Sequence, residues 1–188
     1  MIDELFSTPI GSYRFNYNLL SVEDWCYNER NKSDGRECSN EGGWQSNDCE
    51  LDTLISTPLE DICYGILEKS EEFAHSFGID HTPSIVNLWI NINPKNCYNR
   101  IHIHPESRLS GVFWIKSTNT DDSGPLVFMR ENSYALETIA PIETKYSVNR
   151  FGYVPLSNNM LLFPSYLPHQ VLPNKSDEDR ISISFNLL

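Results

Sequence analysis

This chain predicts a mainly β fold with a helical segment towards its N-terminal end, and three features carry that prediction. From about residue 84 onward, short runs of apolar and polar residues alternate between turn signals. Ahead of them, residues 58–77 place apolar side chains at helical spacing. A hydrophobic share of 39% with 12% aromatic residues suits a β-rich core. Several short strands after one helix suggest a closed or sandwich-like β architecture. A length of 188 residues allows one domain, 1–188, with a sizeable core. Within it, 1–83 reads as a strand, loop and helix region and 84–188 as the β core.

Each element has its own signature. Residues 1–20 alternate loosely through Ile10, Tyr13, Phe15 and Tyr17, which predicts an edge strand. Residues 21–52 are rich in Asn, Ser, Asp, Glu and Gly, the composition of loops and short helices. There, Gly42-Gly43 before Trp44 forms a tight bend, and the indole is expected to fold onto the core. For the helix at 58–77, Thr57 can cap, Pro58 suits the first position and Glu60 can complete a capping box. Ile62, Cys63, Ile66, Leu67 and Phe73 share a face, and Gly78 is a natural stop. His75 and His81 read as surface or packing residues.

Strand patterns follow at 85–93, 110–116, 126–129, 160–163, 170–172 and 180–186. In the first, Leu88, Ile90 and Ile92 share one face while Asn87, Trp89, Asn91 and Asn93 share the other. Asparagines and Trp, rather than charges, suit the lining of a pocket. Residues 130–157, interrupted by Pro141 and Pro155, read as a long irregular excursion of the kind that forms lids.

Composition also narrows the function. A net charge of −12 and a pI near 4.7 argue against nucleic acid or anionic membrane as a partner, since both need clustered Lys and Arg. No apolar run reaches membrane-spanning length, and Met1-Ile-Asp-Glu-Leu-Phe lacks the basic start of a signal peptide. Five cysteines without a CxxC pair fit a reduced, cytoplasmic protein with free thiols. A zinc site from Cys26, Cys38 and Cys49 is the less favoured alternative, because the spacing matches no common zinc pattern.

The chemistry concentrates in Asn99-Arg-Ile-His-Ile-His-Pro. On a strand, His102 and His104 point to one side, and a third histidine, His169, arrives from the distant Phe163-Pro-Ser-Tyr-Leu-Pro-His. Three imidazoles suit iron, copper, zinc or nickel and leave coordination positions open. Arg180 and Ser182, two apart on the last strand, make a bidentate receptor for a carboxylate. Asn91 and Trp114, on strands flanking the histidines, are expected to face the same cavity.

These motifs resemble a known family. Ser39-Asn-x-Gly-Gly-Trp-Gln-Ser, Asn99-Arg-x-His-x-His-Pro, Ser110-Gly-Val-Phe-Trp, Phe163-Pro-Ser-x-x-x-His and Arg180-Ile-Ser-Ile-Ser-Phe-Asn together resemble the 2-oxoglutarate-Fe(II) oxygenases, small proteins of bacteria and bacterial viruses. The resemblance spans about residues 35–188 and implies a double-stranded β-helix (jelly-roll) core behind the N-terminal helical segment. It implies an enzyme, a dioxygenase that uses Fe(II), 2-oxoglutarate and O2 to oxidise a substrate, releasing succinate and CO2. By position, His102 and His169 match the histidine ligands, and Arg180, with Ser182 beside it, matches the residue that holds the distal carboxylate.

One position departs from the pattern. The wider superfamily has Asp or Glu where His104 stands, so the ligand set here reads as His102, His104 and His169, with Glu106 the alternative carboxylate. The implied substrate is a small molecule or a peptide side chain, the location is the cytoplasm (a host's, if the protein is viral), and a homodimer is one option for assembly. Two other readings stay open: a cupin-like three-histidine enzyme that does not use 2-oxoglutarate, and a non-catalytic jelly-roll binding module.

Overall fold

The computed structural model describes residues 7–49, 51–130, 142, 144 and 146–188. In chain order its elements are β1 (Gly11–Arg14), α1 (Leu20–Arg30), β2 (Asn40–Glu41), β3 (Trp44–Gln45), α2 (Leu51–Leu54), α3 (Glu60–Ser76), β4 (Ile85–Asn93), β5 (Tyr98–His102), β6 (Leu109–Lys116), the 3-10 turn η1 (Asp121–Ser123), β7 (Leu126–Met129), β8 (Arg150–Tyr153), β9 (Asn159–Pro164), β10 (His169–Val171) and β11 (Arg180–Leu187). The strands form two antiparallel sheets, a six-stranded one in the order β1-β9-β6-β11-β4-β3 and a five-stranded one in the order β2-β5-β10-β7-β8. From β4 to β7 successive strands alternate between the sheets, and β9 to β11 alternate again. This is the jelly-roll winding expected from the sequence.

Strand alternation decides where the core lies. On β4, Leu88, Ile90 and Ile92 are 0% exposed, as are Ile181, Ile183 and Phe185 on β11. These side chains meet Ile62, Ile66 and Phe73 of α3 and Val22 and Cys26 of α1 in one cluster. Each such burial contributes roughly 1.5–3 kcal/mol, so the helix-facing side of the six-stranded sheet is the main store of hydrophobic stabilisation. The opposite faces of β4 and β11 carry Trp89, Asn91, Asn93, Arg180, Ser182 and Ser184 into the space between the sheets.

The N-terminal third is built into both sheets. β1 pairs with β9 as the predicted edge strand, β3 pairs with β4, and β2 extends the five-stranded sheet beside β5. Trp44 packs against the core as expected, with its Nε1 donating to Ser33 O at 2.9 Å. The region at 21–52 holds more regular structure than its polar composition suggests, because α1 buries Val22 and Cys26 against the sheet. At the start of α3, Thr57 Oγ1 accepts from Leu59 N at 3.2 Å, but Glu60 reaches back to Ser56 N rather than to Thr57. The helix ends at Ser76, and Gly78 takes the left-handed conformation, φ 81°.

Among the described residues of the expected excursion at 130–157 lies the strand β8, whose pairing with β7 the two prolines did not prevent. Most of the proposed lid, residues 131–141 with 143 and 145, lies outside the described residues. No helix among the described residues is long and apolar enough to cross a membrane. The five cysteines are free thiols.

Candidate metal and cosubstrate site

The three histidines meet because of strand register. His169 opens β10 and lies directly opposite His102, the last residue of β5, in an antiparallel pair. Directly opposed side chains on one face of such a pair are close neighbours, and the two ring centroids are 4.3 Å apart. His104 is not on the strand: β5 ends at His102, and the chain continues as a loop. The expectation that both histidines sit on one strand is therefore corrected. A hydrogen bond from His104 N to Ser165 O at 2.9 Å turns this loop back over the site. Its imidazole comes to 5.0 Å from His102 and 5.1 Å from His169, ring centre to ring centre. One ligand atom from each of the three lies within 4.8 Å of the others. Glu106 is exposed, with φ 69°, and does not belong to this group.

Hydrogen bonds orient two of the rings. His102 Nδ1 donates to Arg100 O at 2.6 Å and His169 Nδ1 to Leu167 O at 2.8 Å. Since a carbonyl can only accept, both rings carry the proton on Nδ1 and present the Nε2 lone pair. His104 Nε2 lies 3.3 Å from His169 Nε2. Phe163 packs edge-on to His169 at 4.9 Å, Phe128 lies 6.0 Å from it, and Trp89 lies 5.7 Å from His104. This apolar packing disfavours the imidazolium form. Burial, reinforced by the neighbouring His102, pushes His169 down to about 3 and His104 to about 4, and burial also lowers His102. The cluster is thus three neutral imidazoles, the protonation state that binds metal.

The N-terminal motif braces this arrangement. β2 pairs with β5, Arg100 N donates to Ser39 O at 2.8 Å, and Asn99 Nδ2 donates to Ser39 Oγ at 3.1 Å. Ser165, from the Phe-Pro-Ser motif, donates its hydroxyl to Ser107 O and so ties the loop after β9 to the loop carrying His104.

At the other end of the same cavity lies Arg180, 2% exposed. Among the described residues it makes no ion pair, and the nearby Asp177 pairs with Lys95. Burial lowers its pKa to about 10, which leaves it a cation at neutral pH. Nη1 donates to the carbonyls of Ser123, Gly124 and Leu172, whereas Nη2 is buried without a partner. Main-chain carbonyls thus occupy one guanidinium nitrogen, and Nη2 is the one left beside Ser182 on the same strand face. Asn91 donates to Ser184 Oγ at 3.0 Å and leaves its buried Oδ1 unpartnered.

All seven residues singled out from the sequence, His102, His104, His169, Arg180, Ser182, Asn91 and Trp114, line this one cavity. Ser39, Asn99, Ser184 and Phe163 line it as well and were not singled out. Parity along β11 could have identified Ser184. Ser39 and Asn99 each open a motif quoted above, but their place at the cavity comes from the pairing of β2 with β5 and a register shift between β5 and β10.

A family profile described as "Putative 2OG-Fe(II) oxygenase" matches residues 87–186, more than half of the chain. The chain belongs to the 2OG-Fe(II) oxygenase family. Solved structures with the same fold include a prolyl-4-hydroxylase from Pseudomonas putida, 12% identical, with a TM-score of 0.70 over 97% of this chain and 94% of the other. HygX from Streptomyces hygroscopicus, solved with nickel and 2-oxoglutarate, is 10% identical, with a TM-score of 0.61 over 96% of this chain and 82% of its own. A viral collagen prolyl hydroxylase from Paramecium Bursaria Chlorella virus-1, in complex with 2-oxoglutarate, is 10% identical, with a TM-score of 0.61 over 95% and 94%. At these identities the likeness is one of fold. A search of curated proteins returns no match.

Membership of this 2OG-Fe(II) oxygenase family makes the chain an oxidoreductase whose metal is Fe(II) and whose cosubstrate is 2-oxoglutarate. The cavity fits both. Three neutral nitrogen donors converge at one end, and a buried cation with an unpaired N–H waits at the other, where a carboxylate would neutralise it.

Proposed function

We propose that the chain is an Fe(II)- and 2-oxoglutarate-dependent oxygenase in which His102, His104 and His169 hold the metal. Arg180 and Ser182 receive the distal carboxylate of 2-oxoglutarate, with Asn91 and Trp114 along its length. One observation carries this reading: three converging imidazoles share a cavity with a buried arginine whose Nη2 has no partner. When bound, Fe(II) and 2-oxoglutarate supply an O2-dependent oxidation that yields succinate and CO2.

The chain's own residues have separate tasks. Hydrogen bonds to Arg100 O and Leu167 O hold the rings of His102 and His169 in the metal-binding tautomer. Arg180 Nη2 and the Ser182 hydroxyl orient the cosubstrate by its far end. Trp89, Phe128 and Phe163 pack around the imidazoles and exclude water from them. The substrate in this reading is a small molecule or a peptide side chain, and the location is the cytoplasm. Supporting the substrate class, a structural neighbour from Trichoplax adhaerens is a prolyl hydroxylase in complex with a hypoxia-inducible-factor peptide fragment, and HygX has been solved with hygromycin B.

Adding 2-oxoglutarate to anaerobic Fe(II)-loaded protein should produce a metal-dependent charge-transfer absorption. Arg180→Ala should lose it and Lys116→Ala should keep it. Alanine at His102, His104 or His169 should lower Fe(II) affinity, whereas Glu106→Gln should not. Unchanged 2-oxoglutarate binding in Arg180→Ala would refute the cosubstrate assignment. Oxygen consumption that never requires 2-oxoglutarate would favour the three-histidine cupin-like chemistry instead.

A further inference from the structure

Arg180 is gripped from one side only. Its Nη1 lies 2.7 Å from Ser123 O, 2.9 Å from Gly124 O and 3.3 Å from Leu172 O. Nη1 carries two N–H bonds, so three acceptors form a collar around it rather than three ideal hydrogen bonds. Carbonyl dipoles solvate the guanidinium without neutralising it, and its charge stays available to an anion at Nη2.

The collar is itself a locked structure. Gly124 N donates to Asp121 O at 3.0 Å and closes the η1 turn. Asp122 O accepts from Lys175 N at 2.6 Å and Ser176 N at 3.2 Å, while Leu172 N donates to Pro125 O at 2.9 Å. The segment before β7 and the segment after β10 are thereby clamped together around one guanidinium nitrogen.

Gly124 is where the clamp closes. Its backbone adopts φ 77° and ψ 96°, a conformation open essentially to glycine. A Cβ at this position would lie 2.2 Å from Leu172 O, 2.6 Å from Arg180 Nη1 and 2.9 Å from Pro173 O. Two of these three neighbours are main-chain atoms and cannot swing aside. Any side chain must either expel Nη1 from the collar or part the two segments, and both displace the guanidinium that carries Nη2.

We propose that Gly124 is a positioning residue for the cosubstrate: by admitting three carbonyls onto Nη1, it sets the direction in which Arg180 offers Nη2 to the distal carboxylate of a 2-oxo diacid. The inference rests on the reading of Arg180 as the carboxylate receptor. Gly124 acts only through Arg180 and touches no reacting atom.

The test is calorimetric titration of the Fe(II)-loaded protein under anaerobic conditions with two ligands. These are 2-oxoglutarate and 2-oxobutyrate, which has the same 2-oxo acid group but no distal carboxylate. Gly124→Ala should weaken 2-oxoglutarate about tenfold or more, the scale of a lost hydrogen bond to a charged group. Fe(II) and 2-oxobutyrate affinities should stay within about twofold. Gly152→Ala, whose Cβ meets only Val127 and Pro125 at 3.6 and 3.7 Å, should change neither ligand. In Arg180→Ala the further change Gly124→Ala should cost nothing more, because the two act through one contact.

If Arg180→Ala loses 2-oxoglutarate while Gly124→Ala keeps wild-type affinity, the positioning role is overturned and the cosubstrate reading stands. If Arg180→Ala itself keeps it, the cosubstrate reading fails. A parallel loss of both ligands in Gly124→Ala would also overturn the proposal. Arg180→Lys decides the matter should Gly124→Ala not fold. The collar should capture the ammonium, giving a folded protein that binds 2-oxoglutarate no better than Arg180→Ala, and wild-type affinity there would overturn it.

Discussion

The two faces of the six-stranded sheet are made by the same strands and do opposite work. On the helix side, β4 and β11 present Leu88, Ile90, Ile92, Ile181, Ile183 and Phe185, all fully buried in one apolar cluster. On the cavity side the intervening residues are Trp89, Asn91, Asn93, Arg180, Ser182 and Ser184. On the helix side the β4 and β11 side chains are apolar and need no partner, and the one buried polar atom left over there among the described residues is Ser70 Oγ of α3. The cavity side leaves Asn91 Oδ1 and Arg180 Nη2 buried without one. Unsatisfied buried polar atoms each cost about 1–3 kcal/mol, so the cavity face is kept at the expense of stability that the helix face supplies. Storage of stability and recognition of ligand are separated by the thickness of one strand.

If the separation holds, damage to each face should appear in a different measurement. Phe113 is 0% exposed on the helix side and lies 5.6 Å from the Phe15 ring. Phe113→Ala should lower unfolding stability by about 3–5 kcal/mol in urea titration, with 2-oxoglutarate affinity of the folded protein nearly unchanged. A large loss of affinity in that variant would mean that the faces are coupled. Asn91→Ala is the converse. Removing an acceptor that has no partner offsets much of the loss of the Nδ2 bond to Ser184 Oγ, so stability should change by no more than about 1 kcal/mol while 2-oxoglutarate weakens about tenfold, as read by the same calorimetry.

The helix side should also show a pH dependence. Burial, with the nearby Cys49 and Glu60, pushes the Cys63 thiol up to about 11 from its ordinary 9.0, and burial raises Cys26 as well. Because the fold resists ionising these thiols, their contribution is fully present below about pH 9. It is lost as pH rises towards 11, when the unfolded chain releases protons that the folded chain retains. The urea midpoint should fall across that range, and Cys63→Ala should flatten the fall. A midpoint that stays level in the wild-type protein would show that the thiols are not so enclosed.

Much of this was legible from local pattern. Period-two alternation assigned β4 and β11 their faces, including the asparagine and Trp lining, because side-chain direction on a strand depends only on the residues beside it. The helical spacing of Ile62, Ile66 and Phe73 located α3 and its buried side for the same reason. What was not legible came from contacts between distant segments. β1 was expected as an edge strand, but its pairing with β9, like that of β2 with β5, is a matter of long-range register. The strand β8 formed inside a stretch that two prolines made look irregular.

The candidate site divides along the same line. The sequence alone placed two histidines two residues apart, a third in a distant motif, and an arginine two residues before a serine on a strand with one apolar face. These are statements about chemistry and parity, which short-range geometry governs. The tertiary structure decided that His169 stands opposite His102 and that His104 leaves the strand and is turned in by Ser165. It also decided that Arg180 spends one nitrogen on carbonyls of Ser123, Gly124 and Leu172. Register between strands and closure between loops depend on residues tens of positions apart. No local period encodes them, and they become visible only when the chain is folded.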